Sequence, residues 1–183
     1  MFLELIRPAT LLTIYGAGND AQALAKQAKN LGWRVQVTDG RPMLVTAQRF
    51  PQAERVQVAR VGELDKHINN KGFAVLMSHN YHYDLAVLQA LNTAADVRYI
   101  GILGPRKKTE LLLAALAEKD IDTDLLEQRI YSPVGLDIGA ENADEIALAI
   151  MAELLAVRNG LKAGFLRDLD APIHNRNLTI KTI

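Results

Sequence analysis

Leu11-Leu12-Thr13-Ile14-Tyr15-Gly16-Ala17-Gly18-Asn19-Asp20-Ala21 is a short apolar run that ends in the spacing Gly-x-Gly-x-x-Ala. The helix-forming stretch Gln22 to Leu31 follows at once. This order predicts a strand, a tight turn and a helix whose amino end sits on the turn. The first glycine permits a sharp exit from the strand, the second lets backbone approach a phosphate, and a small third residue lets helix pack on strand. The helix start then offers free N–H groups and its positive dipole end to an anion.

A lone Gly-x-Gly is a weak signal, and the surrounding residues decide its meaning. A second apolar run, Arg34 to Thr38, follows the helix and ends in Asp39. An acid roughly twenty residues past the turn is where a nucleotide-binding unit grips a ribose hydroxyl. Gly40-Arg41-Pro42 also reads as a plain turn. Arg41 is therefore either a contact for a 2′-phosphate or another anion, or a solvated surface arginine.

Hydrophobic residues make up 49% of the 183 positions, enough for one substantial core. Lys+Arg and Asp+Glu both number 21, so no global field draws the chain toward nucleic acid or a membrane surface. The absence of cysteine excludes disulfides, thiolate catalysis and Cys-ligated metal within this polypeptide. No apolar stretch has the length of a membrane span, and Glu4 interrupts the amino terminus, unlike a secretory signal. A cytoplasmic location is the resulting expectation.

Further along, Val56 to Ala59 is a short extended run and Val61 to Asn69 carries a brief helix. Phe73 to Ser78 and Arg98 to Leu103 are continuous apolar runs of the kind that strands buried on both faces require. Tyr83 to Leu91 and Lys107 to Glu118 have helical spacing, and Arg129 to Ser132 makes a last short strand. Asn142 to Arg158 is the longest predicted helix, with Asn142 and Glu145 spaced as a capping box and Gly160 as its stop. Apolar residues cover most of its circumference, which predicts burial by a neighbour and hence a homodimer.

About six strands alternating with helices define an α/β fold, a doubly wound parallel sheet, Rossmann-like, of order 3-2-1-4-5-6. Residues 1–10 form a lead-in segment, 11–160 the Rossmann-like domain and 161–183 a C-terminal extended arm.

Ligands in this topology bind at the carboxyl ends of the strands, where strand order reverses. The fourth strand ends in Ser78-His79-Asn80, so His79 and Asn80 are expected to face Gly16 and Gly18. A histidine there acts as an acid, a base or an anion contact, or is simply hydrogen-bonded to backbone. His79, His82 and Asp84 do not make a metal site, because no remote third ligand is identifiable. The fifth strand leads to Gly104-Pro105-Arg106-Lys107-Lys108, three cations at a helix start, where they meet the helix's positive end. A bound phosphate would relieve that clash. The loop Gly135-Leu136-Asp137-Ile138-Gly139-Ala140-Glu141 places two carboxylates before the longest helix, where they suit its dipole or accept from hydroxyl and amino groups of a pterin or base. No nucleophile or triad is assembled by local spacing, so no catalytic residue is assigned.

The segments GAGNDA, TDGRP, MSHNYHYD, YIGILGPRKK, SPVGLDIGAENADEIALAI and LRDLDAPIH, in order from residue 16 to residue 174, together resemble the Rossmann-type C-terminal domain of the XdhC/CoxI family. Members are maturation factors for molybdenum hydroxylases such as xanthine dehydrogenase and carbon monoxide dehydrogenase. The resemblance implies a chaperone that binds molybdenum cofactor, as molybdopterin or its cytosine dinucleotide, protects it during sulfuration and delivers it to an apoenzyme. It also implies a site lined by Gly16, Ala17, Gly18, Asn19 and Asp20, by His79 and Asn80, by Gly104, Pro105 and Arg106, and by Gly135, Asp137 and Glu141. Lys107 joins Arg106 as a phosphate contact, and Asp39 and Arg41 flank the turn. Implied partners are a molybdenum hydroxylase apoenzyme and a cysteine desulfurase. Full-length members carry a further N-terminal domain, often with a cysteine-bearing glycine-rich segment, so a separate XdhC-type N-terminal domain protein is a third. The alternatives are an NAD(P)-dependent oxidoreductase, with nicotinamide over His79 and ribose on Asp39, or a nucleotide-sensing regulatory subunit without turnover.

Overall fold

The apolar runs become the strands of one parallel sheet, and their burial follows their composition. In the computed structural model, which describes residues 8–170, β1 (Leu11–Tyr15), β4 (Gly72–Leu76) and β5 (Val97–Ile102) lie centrally. β2 (Arg34–Asp39) stands between β1 and the half-exposed β3 (Arg55–Val58), and the two-residue β6 (Ile130–Tyr131) closes the other edge. The order is β3-β2-β1-β4-β5-β6, with every pairing parallel, as the alternation of strands and helices predicts. Strand order reverses between β1 and β4. That reversal opens a crevice at their carboxyl ends.

Side chains of β4 show how one sheet feeds two cores. Phe73 and Val75, with Met77 just past the strand, join α1 (Asn19–Asn30) and α5 (Ala143–Asn159) on one face. Ala74 and Leu76 join α2 (Tyr81–Asn92) and α3 (Arg106–Ala117) on the other, along with the four-residue α4 (Asp124–Glu127) and a 3-10 turn over Val61–Lys66. Period-two alternation on a strand covered from both sides produces this division. On α1 the buried positions Ala21, Leu24, Ala25 and Ala28 present three small side chains, which lets α5 approach closely through Ala147, Ile150, Met151 and Leu154. Each fully buried leucine, isoleucine or methionine among them contributes about 1.5–3 kcal/mol.

α5 opens on the expected capping box, with Asn142 accepting from the Glu145 amide and Glu145 accepting from the Asn142 amide. It stops at Gly160, which adopts the left-handed conformation. Its apolar breadth is accounted for within the chain: α1 covers one side and Ala149 meets Gly135 on the other, leaving Leu148 exposed. The motive for a homodimer is thereby removed. α1 begins at Asn19 rather than Gln22, because Gly18 takes the cap position and Asn19 and Asp20 form the first turn. α4 is too short for any periodicity to announce it. Within the expected arm, residues 161–170 are exposed and carry one 3-10 turn, Leu166–Asp168. Residues 1–7 and 171–183, and the expectations that fall on them, lie outside the described residues.

An aromatic row crosses the face of the sheet that α1 and α5 cover. Trp33 lies 5.4 Å from Phe73, Phe73 lies 5.8 Å from Tyr99, and Tyr99 stacks on Tyr131 at 4.3 Å between ring centroids. The guanidinium of Arg158 sits 5.4 Å above the Trp33 ring, a favourable cation–π arrangement. Among the described residues no helix is long and apolar enough to cross a membrane.

Candidate functional site

The two glycines of the turn do different work. Gly16 has φ +126°, and a Cβ there would fall 2.5 Å from the carbonyl carbon and oxygen of Met77 and 2.6 Å from the Ser78 nitrogen. Its amide donates to the Thr38 carbonyl at 2.8 Å, so it locks β1 between the ends of β2 and β4. Gly18 has φ −67° and ψ −177°, extended backbone open to any residue. A Cβ on Gly18 would meet the protein only at His79 Cδ2, 3.8 Å away, an ordinary contact. The fold therefore requires glycine at 16 but not at 18. The bare Cα of Gly18 opens onto the crevice beside His79, and no side chain caps the first turn of α1. Uncapped helix amides next to a missing Cβ form an anion cradle.

Ala17, between them, is clamped from both sides. Its amide donates to Asp39 Oδ2 at 2.7 Å, and its carbonyl accepts from Arg49 Nη2 at 3.2 Å. Arg49 also reaches Asn19 Oδ1 at 3.2 Å. Sequence reading missed Arg49, because it lies 30 residues away in the irregular β2–β3 connection and no local pattern marks it. Asp39 is 2% exposed. It accepts four hydrogen bonds, from the Ala17 amide, the Arg41 amide, Arg41 Nε and Arg41 Nη2. A carboxylate has about four lone-pair positions. Asp39 thus has no acceptor left over for a ribose, and it holds the turn and Arg41 instead. Arg41 Nη2 continues to the Ser78 carbonyl at 3.2 Å, tying the end of β2 to the end of β4.

Burial pushes the Asp39 carboxyl up, but the hydrogen bonds from Arg41 and from the Arg41 and Ala17 amides outweigh it and hold the group below its ordinary value of 3.8. A carboxylate depressed in the folded state adds stability above its unfolded value, and that stability is lost as pH falls through the folded one. Asp39→Asn is expected to cost about 1.5–3 kcal/mol at neutral pH. The difference from wild type should shrink as pH falls from about 4 through the depressed folded value, where the carboxylate takes up its proton. Urea unfolding at several pH values measures this, and a pH-independent difference would deny Asp39 its role as a charged anchor.

The corner after β4 is built around a buried carboxylate. Ser78 Oγ donates to Asp84 Oδ1 at 2.6 Å and accepts from the Asn80 amide at 3.0 Å. Asn80 Oδ1 caps α2 by accepting from the Tyr83 amide at 3.1 Å. Asp84, fully buried, pairs through Oδ2 with Lys108 Nζ at 2.5 Å, and Lys108 also donates to the Leu103 carbonyl. These bonds hold His79 in the left-handed region, φ 57°. Such backbone costs a bulky residue about 1–3 kcal/mol and persists where surrounding contacts over-determine it. His79 Nε2 lies 3.5 Å from Asp20 Oδ2 across the mouth of the turn, an ion pair whenever the imidazole is protonated.

The three cations after β5 separate. Lys108 turns inward to Asp84, while Arg106, 82% exposed at its side chain, lies 3.6 Å from Glu110 one helical turn on. For Arg106 and Lys108 the expected clash with the helix dipole is thus met by carboxylates of the chain itself. Lys107 is exposed. Gly104, with φ +119°, makes the turn ahead of Pro105, which caps α3. Gly135 faces α5, its amide donating to the Glu153 carboxylate. Burial raises the Glu153 carboxyl above its ordinary value. Asp137 and Glu141 are exposed, and the Glu141 amide donates to Glu145. The structure therefore brings together Gly16–Asp20, Asp39, Arg41, Ser78, His79 and Asn80. Among the described residues no hydrogen bond joins Asp137 or Glu141 to that group.

A crevice of about 220 Å³ lies against this group, between the ends of β2, β3 and β4. A larger opening, about 560 Å³, lies at the opposite edge, beside Leu11, Arg34, Gly72 and Arg98 at the strand starts. Size does not decide between them. In parallel sheets the helix amino ends and their loops gather at the carboxyl edge, and only that edge carries the open turn.

The fold and its site define a Rossmann-type domain with an open glycine turn at the carboxyl edge of its sheet. The chain belongs to the XdhC family: residues 12–154 match the model of the XdhC Rossmann domain. It is 34% identical over 160 residues to a probable xanthine dehydrogenase subunit of Bacillus subtilis (strain 168), covering 86% of this chain and 46% of that one. It is 30% identical over 152 residues to the molybdenum cofactor insertion chaperone PaoD of Escherichia coli (strain K12), covering 83% of this chain and 41% of that one. A crystal structure described as a xanthine dehydrogenase from Bacillus halodurans superposes with a TM-score of 0.72 at 33% identity, covering 85% of this chain and 44% of that one. The chain spans less than half the length of each of these relatives.

Proposed function

We propose that this chain is the cofactor-holding domain of a maturation chaperone for a molybdenum hydroxylase of the xanthine dehydrogenase or carbon monoxide dehydrogenase type. Family membership and the similarity to an insertion chaperone support the role. The observation that carries the reading is Gly18, a glycine that neither backbone geometry nor packing demands, set at an uncapped helix start beside His79. A missing side chain there serves a ligand. Molybdenum cofactor, when bound, supplies the anion, as the phosphate ester of its pterin or the extended phosphate of its dinucleotide form.

The chain's residues bind and orient. The amides opening α1 take the phosphate, the Asp39–Ala17–Arg49 clamp keeps the turn in its receptive shape before the ligand arrives, and His79 stands at its mouth. Preorganisation of this kind lowers the ordering cost of binding. No residue here is given a bond-making step, which suits a carrier whose hydroxylase partner uses the cofactor. The dehydrogenase reading needs a free acceptor for ribose, and Asp39 has none.

The test is co-purification. Protein expressed in a host that makes molybdenum cofactor is expected to carry a pterin, detected by fluorescence after oxidation. Gly18→Val fills the cradle without a backbone penalty, so it should fold normally and retain roughly tenfold less pterin. Wild-type protein free of pterin, or a valine variant that carries as much, would remove the turn from this role.

A further inference from the structure

The crevice between the ends of β2, β3 and β4 has a chemistry of its own, which follows from counting its donors and acceptors. The lone pairs of Asp39 are taken by Ala17 and Arg41. Ser78 Oγ is spent on Asp84 and the Asn80 amide, and the Ser78 carbonyl accepts from Arg41. Asn80 Oδ1 is spent on the Tyr83 amide, and the Tyr83 hydroxyl donates to the Ala59 carbonyl at 3.1 Å. The one carboxylate among the lining side chains is therefore fully engaged. Donors remain: Arg41 Nη1, Asn80 Nδ2 and the whole guanidinium of Arg60 have no acceptor among the described residues.

A lining that offers guanidinium and amide N–H groups, with its one carboxylate already engaged, selects an oxyanion and discriminates against cations. Arg41 is already held at Nε and Nη2 by a buried carboxylate, so fixing it costs little further entropy. Arg60, exposed on the rim, brings a charge that Asp39 does not neutralise. A volume of about 220 Å³ takes a tetrahedral group. A whole nucleoside calls for more, because pockets for molecules of that size run about 300–1,000 Å³.

We propose that this crevice is an oxyanion subsite, separate from the glycine turn, which binds a phosphate-type group through Arg60, Arg41 and Asn80. The turn and the crevice then give the domain two anion-holding points on the same sheet edge. The subsite stands whether or not the turn holds a pterin phosphate.

Calorimetric titration with inorganic phosphate at low ionic strength tests it, using Gly18→Val protein so that the turn is blocked. Saturable binding with Kd on the order of millimolar is expected. Adding Arg60→Ala should weaken it about tenfold or abolish it, with no change in thermal midpoint because Arg60 makes no contact the fold needs. Raising the salt concentration should weaken it as well. Phenyl phosphate as a second probe separates the sources: binding as tight as inorganic phosphate marks a subsite for an organic phosphate ester, and binding of inorganic phosphate alone marks one for the free anion. Absence of phosphate binding in the Gly18→Val protein, or equal affinity after Arg60→Ala, would overturn the proposal.

Discussion

Lys108→Met is expected to destabilise the domain by about 3–5 kcal/mol, the usual cost of stranding one partner of a buried ion pair. Asp84 is fully buried between α2 and α3, and Lys108, 19% exposed at its side chain, is its cationic partner. Methionine keeps the volume and removes the charge, leaving a carboxylate with only Ser78 Oγ to satisfy it. The effect should reach beyond stability, because the same carboxylate organises Ser78 and through it the Asn80 amide beside His79. Pairing Lys108→Met with Asp84→Asn removes the stranded charge, and the double variant should be more stable than Lys108→Met alone. Urea unfolding of the two single variants and the double variant gives the coupling. Additive losses would mean that the two side chains do not act as a pair.

Gly16→Ala carries the second large effect. One methyl group would have to occupy space 2.5 Å from the Met77 carbonyl, on a backbone whose φ of +126° already disfavours any L side chain. Neither obstacle is a flexible side-chain tip. The obstructing atoms are the main chain of the segment that carries β4 into its loop, so the strands must part or the turn must rebuild. About 3–5 kcal/mol is expected, a fall in thermal midpoint of roughly 10 °C or more for a domain of this size. Gly18→Ala, two residues away, should cost no more than about 1 kcal/mol, the loss of a glycine cap. If the two alanine variants melt together, the division of labour between the glycines is wrong.

That contrast also shows what the sequence could convey. Gly16-x-Gly18 announces a turn between strand and helix, and continuous runs such as Phe73 to Leu76 announce strands covered on both faces. These patterns are local, and strand order followed from them. The role of each glycine is not local, because it depends on which backbone passes within 3 Å, here Met77, more than sixty residues on. Asp39 was legible as an acid at the right spacing, but its partners Ala17 and Arg41 decide that it is an anchor. Arg106, Lys107 and Lys108 were legible as a cationic helix start. Successive helix residues point about 100° apart, and only the position of Asp84 determines that Lys108 turns inward. Arg49 and Arg60 carry no signal at all, since both sit in irregular segments brought to the turn and the crevice by the sheet.

The single tryptophan gives this molecule a built-in optical reporter. Trp33 is 2% exposed and begins the aromatic row from just before β2, at the amino edge of the sheet, the far side from the turn and the crevice. Its emission should be blue-shifted in the native protein and shift to the red only when the strands come apart. A guest seated at the carboxyl edge leaves that signal unaltered, so one cuvette separates variants that lose their cargo from variants that lose their shape.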